Sequence, residues 1–168
     1  NESLGYKGTN RLSGLLLDFS IGQYDTYTPI QISQYMSTIA NDGSRMQPYL
    51  LKAVFDSKEE SLTSVIYETK PIELNKIDTK EEYLDRVQEG FKQVLSSGGT
   101  GSAYIDHSYK AAGKTGTAQS FLDTDSDGTI DTATTTATCS AYAPYDDPEV
   151  VFTVISPETS TKTNEAIP

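Results

Sequence analysis

The stretch KAAGKTGTAQS, residues 110–120, constrains the fold most, because it carries almost no side-chain bulk. As a β-strand it would place Lys114 and Gly116 on one face, since side chains alternate along a strand. Thr115 and Thr117 would lie on the opposite face. Glycine weakens a strand, so Gly113 and Gly116 indicate a bulge, a crowded neighbour or a ligand backbone that comes close. The last reading predicts a sheet edge to which an extended peptide adds as one more strand.

The charge and hydroxyl groups of this stretch fit the same reading. A lysine beside threonines offers a point charge and short hydrogen-bond donors, which suit a carboxylate. A backbone N–H on the strand can also stabilise an oxyanion. The alternative is that Lys114 is an ordinary solvated lysine, which is the usual state of that residue type. The functional reading predicts a site for a peptide that ends in a carboxylate.

Composition limits the partners of the chain. Its 168 residues suit a single domain, and 13 Lys and Arg against 24 Asp and Glu leave a net charge of −11. Such an acidic chain is a poor match for nucleic acid, whose phosphates require clustered basic residues. One cysteine, Cys139, and one histidine, His107, do not make a metal site. The sequence therefore predicts no nucleic-acid partner, no cofactor and no metal.

Two segments have the signals of amphipathic helices. In residues 26–44, Thr28 suits the N-cap, Pro29 the first helical position and Gln31 the far end of a capping box. In residues 78–99, a second capping box and a terminal glycine are expected at Thr79, Glu82 and Gly98. The apolar stripes are Ile32, Tyr35, Met36, Ile39 and Ala40 in the first helix and Leu84, Val87, Phe91, Val94 and Leu95 in the second.

Four further segments have the composition of strands. Residues 48–55 (PYLLKAVF) and 64–69 (SVIYET) flank a polar stretch and predict a hairpin. Residues 134–144 (TTTATCSAYAP) and 149–156 (EVVFTVIS) follow the lysine motif, joined by the turn PYDDP. The last segment is nearly all apolar, which predicts a central, buried strand. The predicted class is α+β, with an antiparallel meander and two helices packed on it.

Five stretches together carry a family resemblance. GKTGTAQ, residues 113–119, resembles the third signature of the penicillin-recognising serine acyltransferases, which combine KTG with SxxK and SDN motifs. The others are the segments 19–50, 97–104 and 138–157 and the helix before Gly98. Together these stretches, which include QYMSTIANDG and AYAPYDDPE, resemble the class B, monofunctional penicillin-binding proteins of Gram-positive type. The resemblance covers residues 15–157.

Two motifs of that family are missing from the chain. No serine is followed by lysine three positions on or by asparagine two positions on. In the family, SxxK supplies the nucleophilic serine and the lysine that activates it, because a hydroxyl needs a nearby base to attack a carbonyl. We therefore expect residues 1–168 to be the C-terminal portion of one transpeptidase domain, inactive alone, with the SxxK and SxN segments upstream.

The resemblance implies a partial penicillin-binding-protein and serine β-lactamase-like fold, and a role for each matched residue. Lys114 would set the electrostatics and proton transfer of the site. The hydroxyls of Thr115 and Thr117 would bind the terminal carboxylate of a D-Ala-D-Ala stem peptide or of a β-lactam. The Thr117 N–H would form half of an oxyanion hole, and Gly116 would keep the strand open for the acyl group. Gln119 completes the expected substrate-binding set.

The resemblance also implies a setting for the parent protein. It would be a peptidoglycan D,D-transpeptidase, anchored in the bacterial membrane with its domain on the extracytoplasmic face and with cell-wall synthesis partners. Two alternatives stay open: a serine β-lactamase or D,D-carboxypeptidase relative, which shares KTG, and a non-enzymatic module that senses β-lactams.

A second motif permits a calcium-dependent binding module. DTDSDGTID, residues 123–131, begins like a calcium loop, with alternate aspartates followed by Gly128. The EF-hand pattern requires a glutamate at its twelfth position, where this chain has Thr134. An Asp-rich turn between two strands is the simpler interpretation.

Overall fold

The fold was analysed in a computed structural model, which describes residues 4–8, 15–22, 25–56 and 64–159. The helices are α1 (Leu15–Ser20), α2 (Pro29–Ala40) and α3 (Glu81–Leu95). The strands are β1 (Ser44–Met46), β2 (Ala53–Phe55), β3 (Val65–Glu68), β4 (Glu73–Lys76), β5 (Ala112–Leu122), β6 (Thr132–Ala143) and β7 (Val150–Thr159). Within the described ranges, every helix is too short or too polar to cross a bilayer.

The three long strands form the antiparallel meander that the sequence predicts, in the order β5-β6-β7. The expectation that residues 149–156 form the central strand is wrong for this sheet. The centre is β6, and β7 pairs only with β6 among the described strands. An apolar run indicates burial on both faces but carries no information about strand order, and the small residues of β6 fit better between two neighbours.

The helix α2 begins as the sequence predicts. Pro29 is its first residue, and the Thr28 N–H donates to Gln31 Oε1 at 2.8 Å, one arm of the expected capping box. The second expected capping box is wrong, because α3 begins one residue later, with Lys80 as its N-cap and no side-chain cap. Beyond the end of α3, Gly98 takes the left-handed backbone (φ 84°) expected of a terminating glycine.

The sheet has a hydrophobic cluster on each face. Met36 of α2 packs against Ala112 and Tyr142 on one face, together with Phe91 of α3. Leu95 packs with Ala111 and Ala141 on the other face. Because Ala141 and Tyr142 are consecutive in β6, their side chains point to opposite faces, so α3 contributes to both clusters. Cys139 is buried as a small core residue, and burial raises the pKa of its thiol.

Two short ribbons complete the fold. The predicted hairpin is present as β2 paired with β3, although its strands are shorter than the segments 48–55 and 64–69, and its loop lies outside the described residues. The pairing of β1 with β4 was not predicted, because strands this short lack a recognisable alternation. The observed class is α+β, as expected.

Candidate functional site

The lysine motif lies on the edge strand of the main sheet. All of residues 113–119 belong to β5, which pairs with β6 on one side and with no other strand in the described part of the chain. Thr117, Ala118 and Gln119 are exposed. An edge strand leaves alternate N–H and C=O groups unpaired, so it can accept an added strand.

Lys114 projects from this strand as an exposed cation. Its Nζ donates to the carbonyl of the neighbouring Thr115 at 2.6 Å. Within the described ranges it makes no ion pair, unlike Lys80, Lys92 and Lys110. In a chain of net charge −11, an unneutralised cation beside an open strand edge is a ready partner for an anion.

A cavity of about 710 Å³ opens on the Lys114 face of the sheet. Its floor comes from β5 and β6, with Lys114, Gly116, Thr138 and Ser140. Its walls are mostly apolar and come from α1, the turn after it, α2 and α3; they include Phe19, Ile21, Ile32, Tyr35, Met36 and Phe91. The cavity is large enough for a drug-sized ligand or for a further protein segment.

The predicted site residues divide between two places on β5. Lys114, Thr115 and Gly116 all line the cavity. Thr117 and Gln119 lie farther along the strand, exposed and outside the cavity lining. Alternation puts them on the face of Thr115, so the two threonine hydroxyls share a face as the sequence predicts.

Both glycines of the motif have crowded neighbours. A Cβ at Gly113 would lie 2.4 Å from the Ser140 carbonyl oxygen and 2.4 Å from Ala141 Cβ. A Cβ at Gly116 would lie 2.4 Å from Thr138 Oγ1. At Gly113 the main chain of β6 lies too close for a side chain, whereas at Gly116 the obstacle is the side-chain oxygen of Thr138. The crowded-neighbour interpretation therefore applies to both, and a ligand is not required to explain either glycine.

A chain of hydroxyls beneath Lys114 was missed at the sequence level. Ser140 is paired in register with Lys114 and is only 6% exposed. Its Oγ lies 2.8 Å from Thr153 Oγ1, and Ser33 of α2 donates to that same Thr153 oxygen at 2.9 Å. These bonds fasten α2 to the sheet under the site. Alternation within residues 134–144 was the available signal, but it does not identify which strand lies beside β5.

The aspartate loop connects β5 to β6 at the other end of the hairpin. Carboxylate oxygens of Asp123, Asp125 and Asp131 lie within 4.8 Å of one another, and they are the one such metal-compatible group found among the described residues. Asp127 instead accepts the Thr129 N–H at 2.6 Å. Backbone N–H bonds, with that of Gly128 the strongest, lower the pKa of Asp123. Strands rather than helices flank the loop, and calcium binding there stays an untested alternative to the prediction of no metal.

Comparison with known proteins identifies the family. Residues 1–167 match the family model described as the penicillin-binding protein transpeptidase domain. Penicillin-binding protein 2A of Bacillus subtilis is 50% identical over 160 residues, which are 95% of this chain and 22% of that protein. The peptidoglycan D,D-transpeptidase MrdA of Haemophilus influenzae is 33% identical over 153 residues, 86% of this chain and 23% of that protein.

A solved structure agrees with these matches. Penicillin-binding protein 2B of Streptococcus pneumoniae (strain R6) superimposes with a TM-score of 0.77 at 30% identity, over 98% of this chain and 26% of that one. The chain thus spans about a quarter or less of the length of these relatives. The family model and the identities together show that the chain belongs to the transpeptidase domains of the class B penicillin-binding proteins, of Gram-positive type, and carries part of such a domain.

Proposed function

We propose that this chain forms the substrate-binding part of a peptidoglycan D,D-transpeptidase whose nucleophile lies elsewhere in the parent protein. The observation that carries the proposal is the position of the KTGT sequence on a strand that pairs on one side only among the described strands, with Lys114 at the border of a large cavity. The names of the relatives, penicillin-binding proteins and peptidoglycan D,D-transpeptidases, support the reaction class.

The substrate would bind along β5 as an added strand. A D-Ala-D-Ala stem peptide is extended and ends in a carboxylate, so its backbone can pair with the free groups of the strand. The hydroxyls of Thr115 and Thr117 would donate to that carboxylate, and the Lys114 charge would strengthen both bonds. Gln119 lies one alternation farther along the same face and would contact the more distant part of the peptide. A β-lactam carries its carboxylate in the equivalent place.

The reaction would be acyl transfer through a serine ester. A serine oxygen from the upstream part of the domain attacks the carbonyl of the penultimate D-Ala and expels the terminal D-Ala as a free amine. The Thr117 N–H would supply half of the oxyanion hole, and in other acyl-transfer enzymes losing one such donor costs about 3 kcal/mol of transition-state stabilisation. Lys114 would hold the local potential positive and assist proton transfer.

The upstream part of the parent would occupy the cavity above Lys114. The cavity walls are apolar, and Ile21, Tyr35 and other large side chains beside it are exposed in this chain. Covering such walls with another segment of the same domain removes apolar surface from water. In the parent we place the domain on the extracytoplasmic face of the bacterial membrane, where its substrate and the other cell-wall synthesis proteins are found.

Labelling with a fluorescent penicillin tests the proposal. The full-length parent should form a covalent adduct that survives denaturing electrophoresis, whereas the 168-residue chain alone should form none, because no serine of the chain has the activating SxxK arrangement. An adduct on the isolated chain, or none on the folded parent, would contradict the proposal. Mass spectrometry of the labelled parent should locate the adduct outside these residues.

Site variants of the parent test the binding role of β5. Thr115→Ala and Thr117→Ala should each slow acylation about tenfold or more, since each removes a charge-assisted hydrogen bond. Thr129→Ala changes an exposed threonine of the aspartate loop and is the matched control, with unchanged labelling expected. Equal losses in all three variants would indicate a general effect on folding and would remove β5 from the site.

If the parent were instead a relative of the serine β-lactamases, the same adduct would have a different lifetime. A β-lactamase releases the acyl group within seconds, whereas a transpeptidase retains it. The lifetime of the labelled parent after removal of free penicillin therefore separates these two enzymes. A β-lactam-sensing module would also retain the label but would not cross-link stem peptides.

A further inference from the structure

One hydroxyl accounts for the glycine in the middle of the KTGT sequence. The nearest atom to a Cβ built on Gly116 is Thr138 Oγ1 at 2.4 Å, and the next is Thr138 Cβ at 3.8 Å, an ordinary contact distance. Gly116 does not have the left-handed backbone that would itself favour glycine. The only described atom that excludes a methyl group there is the oxygen of one side chain on the adjacent strand.

Gly113 offers a direct contrast on the same strand. A Cβ at that position would meet the Ser140 carbonyl oxygen at 2.4 Å and Ala141 Cα at 2.7 Å. These are main-chain atoms, so changing a side chain on β6 cannot relieve the clash. The two glycines therefore differ in what an added methyl group would meet, and only the clash at Gly116 should be relieved by changing a side chain.

Thr138 is held where it can act as a spacer. It is paired in register with Gly116 and, on its other side, with Ile155 of β7, so its backbone lies in the middle of the sheet. Its side chain is half-buried and lines the cavity together with Lys114. Among the described residues its hydroxyl has no hydrogen-bond partner, so its contribution is one of shape.

We propose that Thr138 is a positioning residue for the transpeptidase site, its side chain filling the space of the missing side chain at Gly116. This contact fixes the distance between β5 and β6 at Gly116, which lies between Lys114 and Thr117 on β5. A change in that spacing displaces both groups relative to the bound carboxylate, and small displacements of positioned groups slow catalysis strongly. The inference rests on the proposed function for its catalytic consequence, whereas the packing contact stands on the geometry alone.

A double-mutant experiment on the full-length parent tests the proposal. Gly116→Ala should reduce the acylation rate at saturating fluorescent penicillin by roughly tenfold to a hundredfold, as expected for one methyl group forced into a packed site. Thr138→Ala should cost a few-fold. The double variant should regain most of the activity lost by Gly116→Ala, because removing the hydroxyl makes room for the new methyl group.

Two controls separate shape from other effects. Thr138→Val keeps the volume and removes the hydroxyl, so its acylation rate should match the wild type; a loss as large as that of Thr138→Ala would overturn the proposal in favour of hydrogen bonding. Adding Thr138→Ala to Gly113→Ala should restore nothing, because the clash at Gly113 is with main-chain atoms. Equal recovery in both pairs would also overturn it.

Melting temperatures of the same variants distinguish a positioning role from a purely structural one. A positioning role requires that folded, fully soluble Gly116→Ala protein is still slow to acylate and that the double variant is faster. Acylation rates that change only with the folded fraction would overturn the proposal. If the wild-type parent is not labelled at all, the proposed function fails instead, and recovery of the melting temperature in the double variant alone still tests the contact between Gly116 and Thr138.

Discussion

The two ends of the β5–β6 hairpin are built on different principles. At the Lys114 end, Ala112 and Tyr142 are almost completely buried and helices pack on both faces of the sheet. At the other end, the loop of residues 123–131 is largely exposed and is organised by aspartates that accept nearby backbone N–H groups. One end depends on contacts between distant parts of the chain, and the other on contacts within nine residues.

This difference indicates how each end should respond to change. Long-range packing is cooperative, so damage near Lys114 should lower the stability of the whole sheet and displace the site. Hydrogen bonds within a loop can be lost without unfolding the strands that carry it. We therefore expect large, global effects at the first end and small, local effects at the second.

The largest effect is expected from Met36→Ala. Met36 is 2% exposed and packs on Ala112 and Tyr142 beneath the site, so the change should reduce the free energy of unfolding by about 2–5 kcal/mol. Urea denaturation measures it. Ile130→Ala in the aspartate loop, where the side chain is 65% exposed, is the control and should cost under about 0.5 kcal/mol. Similar costs for both would break the comparison.

A smaller loss is expected from Gly113→Ala. The added methyl group would meet the Ser140 carbonyl and Ala141, so β5 must move away from β6 at a cost of about 1–3 kcal/mol. Gly90→Ala on α3 has open space around it and should instead stabilise the helix by about 0.5–1 kcal/mol. Denaturant unfolding of the two variants should show opposite signs, and a neutral Gly113→Ala would contradict the close approach of the strands.

At the loop end, Gly128→Ala should act through the backbone instead of through contacts. Gly128 has φ 88°, and a Cβ built there would have no atom within 4 Å. The left-handed backbone is therefore the only cost of alanine, and it should lower the free energy of unfolding by about 1–2 kcal/mol. Gly128→Asn should cost less, since asparagine tolerates this conformation. Amide exchange should increase in the loop and stay unchanged around Lys114; faster exchange at both ends would show that the two are coupled.

The smallest effect concerns pH. Because the Gly128 N–H bond lowers the pKa of Asp123, the stabilisation of the loop is present above the usual aspartate pKa and is lost as the pH falls through the lowered value. An NMR titration of the Gly128 amide should give a midpoint below that of an ordinary aspartate. In Asp123→Asn this titration should disappear while the amides of β7 are unaffected. A titration midpoint in the range of an ordinary aspartate would contradict the hydrogen bond from the Gly128 N–H to Asp123.

Sequence reasoning succeeded where the signal is local. Pro29 and the capping pair Thr28 and Gln31 located the start of α2, because helix caps involve residues three positions apart. It failed at the start of α3, where Thr79 offers the same signal but the chain enters the helix at Lys80. Lysine has no side-chain acceptor and Lys80 makes no cap bond, so the preference for a capping residue did not decide where α3 begins.

The candidate site shows the same division. The KTGT strand and the alternation of its threonines followed from sequence, since both are properties of residues close together. Thr138 and Ser140, which lie beneath Gly116 and Lys114, did not follow, because strand register brings them there from more than 20 residues away. The cavity also needed coordinates, as its lining comes from three helices and two strands.

The amino-acid sequence by itself determined the bare strand, its cation, the two main helices and the family to which the chain belongs. These features depend on composition and on spacings of a few residues, so they can be predicted from residues that are close together in the sequence. The tertiary structure alone decided that β6 and not β7 is central, that β5 pairs on one side only among the described strands, and that a threonine oxygen lies where a side chain at Gly116 would go. Such facts depend on which distant segments meet, and contact between distant segments is settled only when the whole core packs.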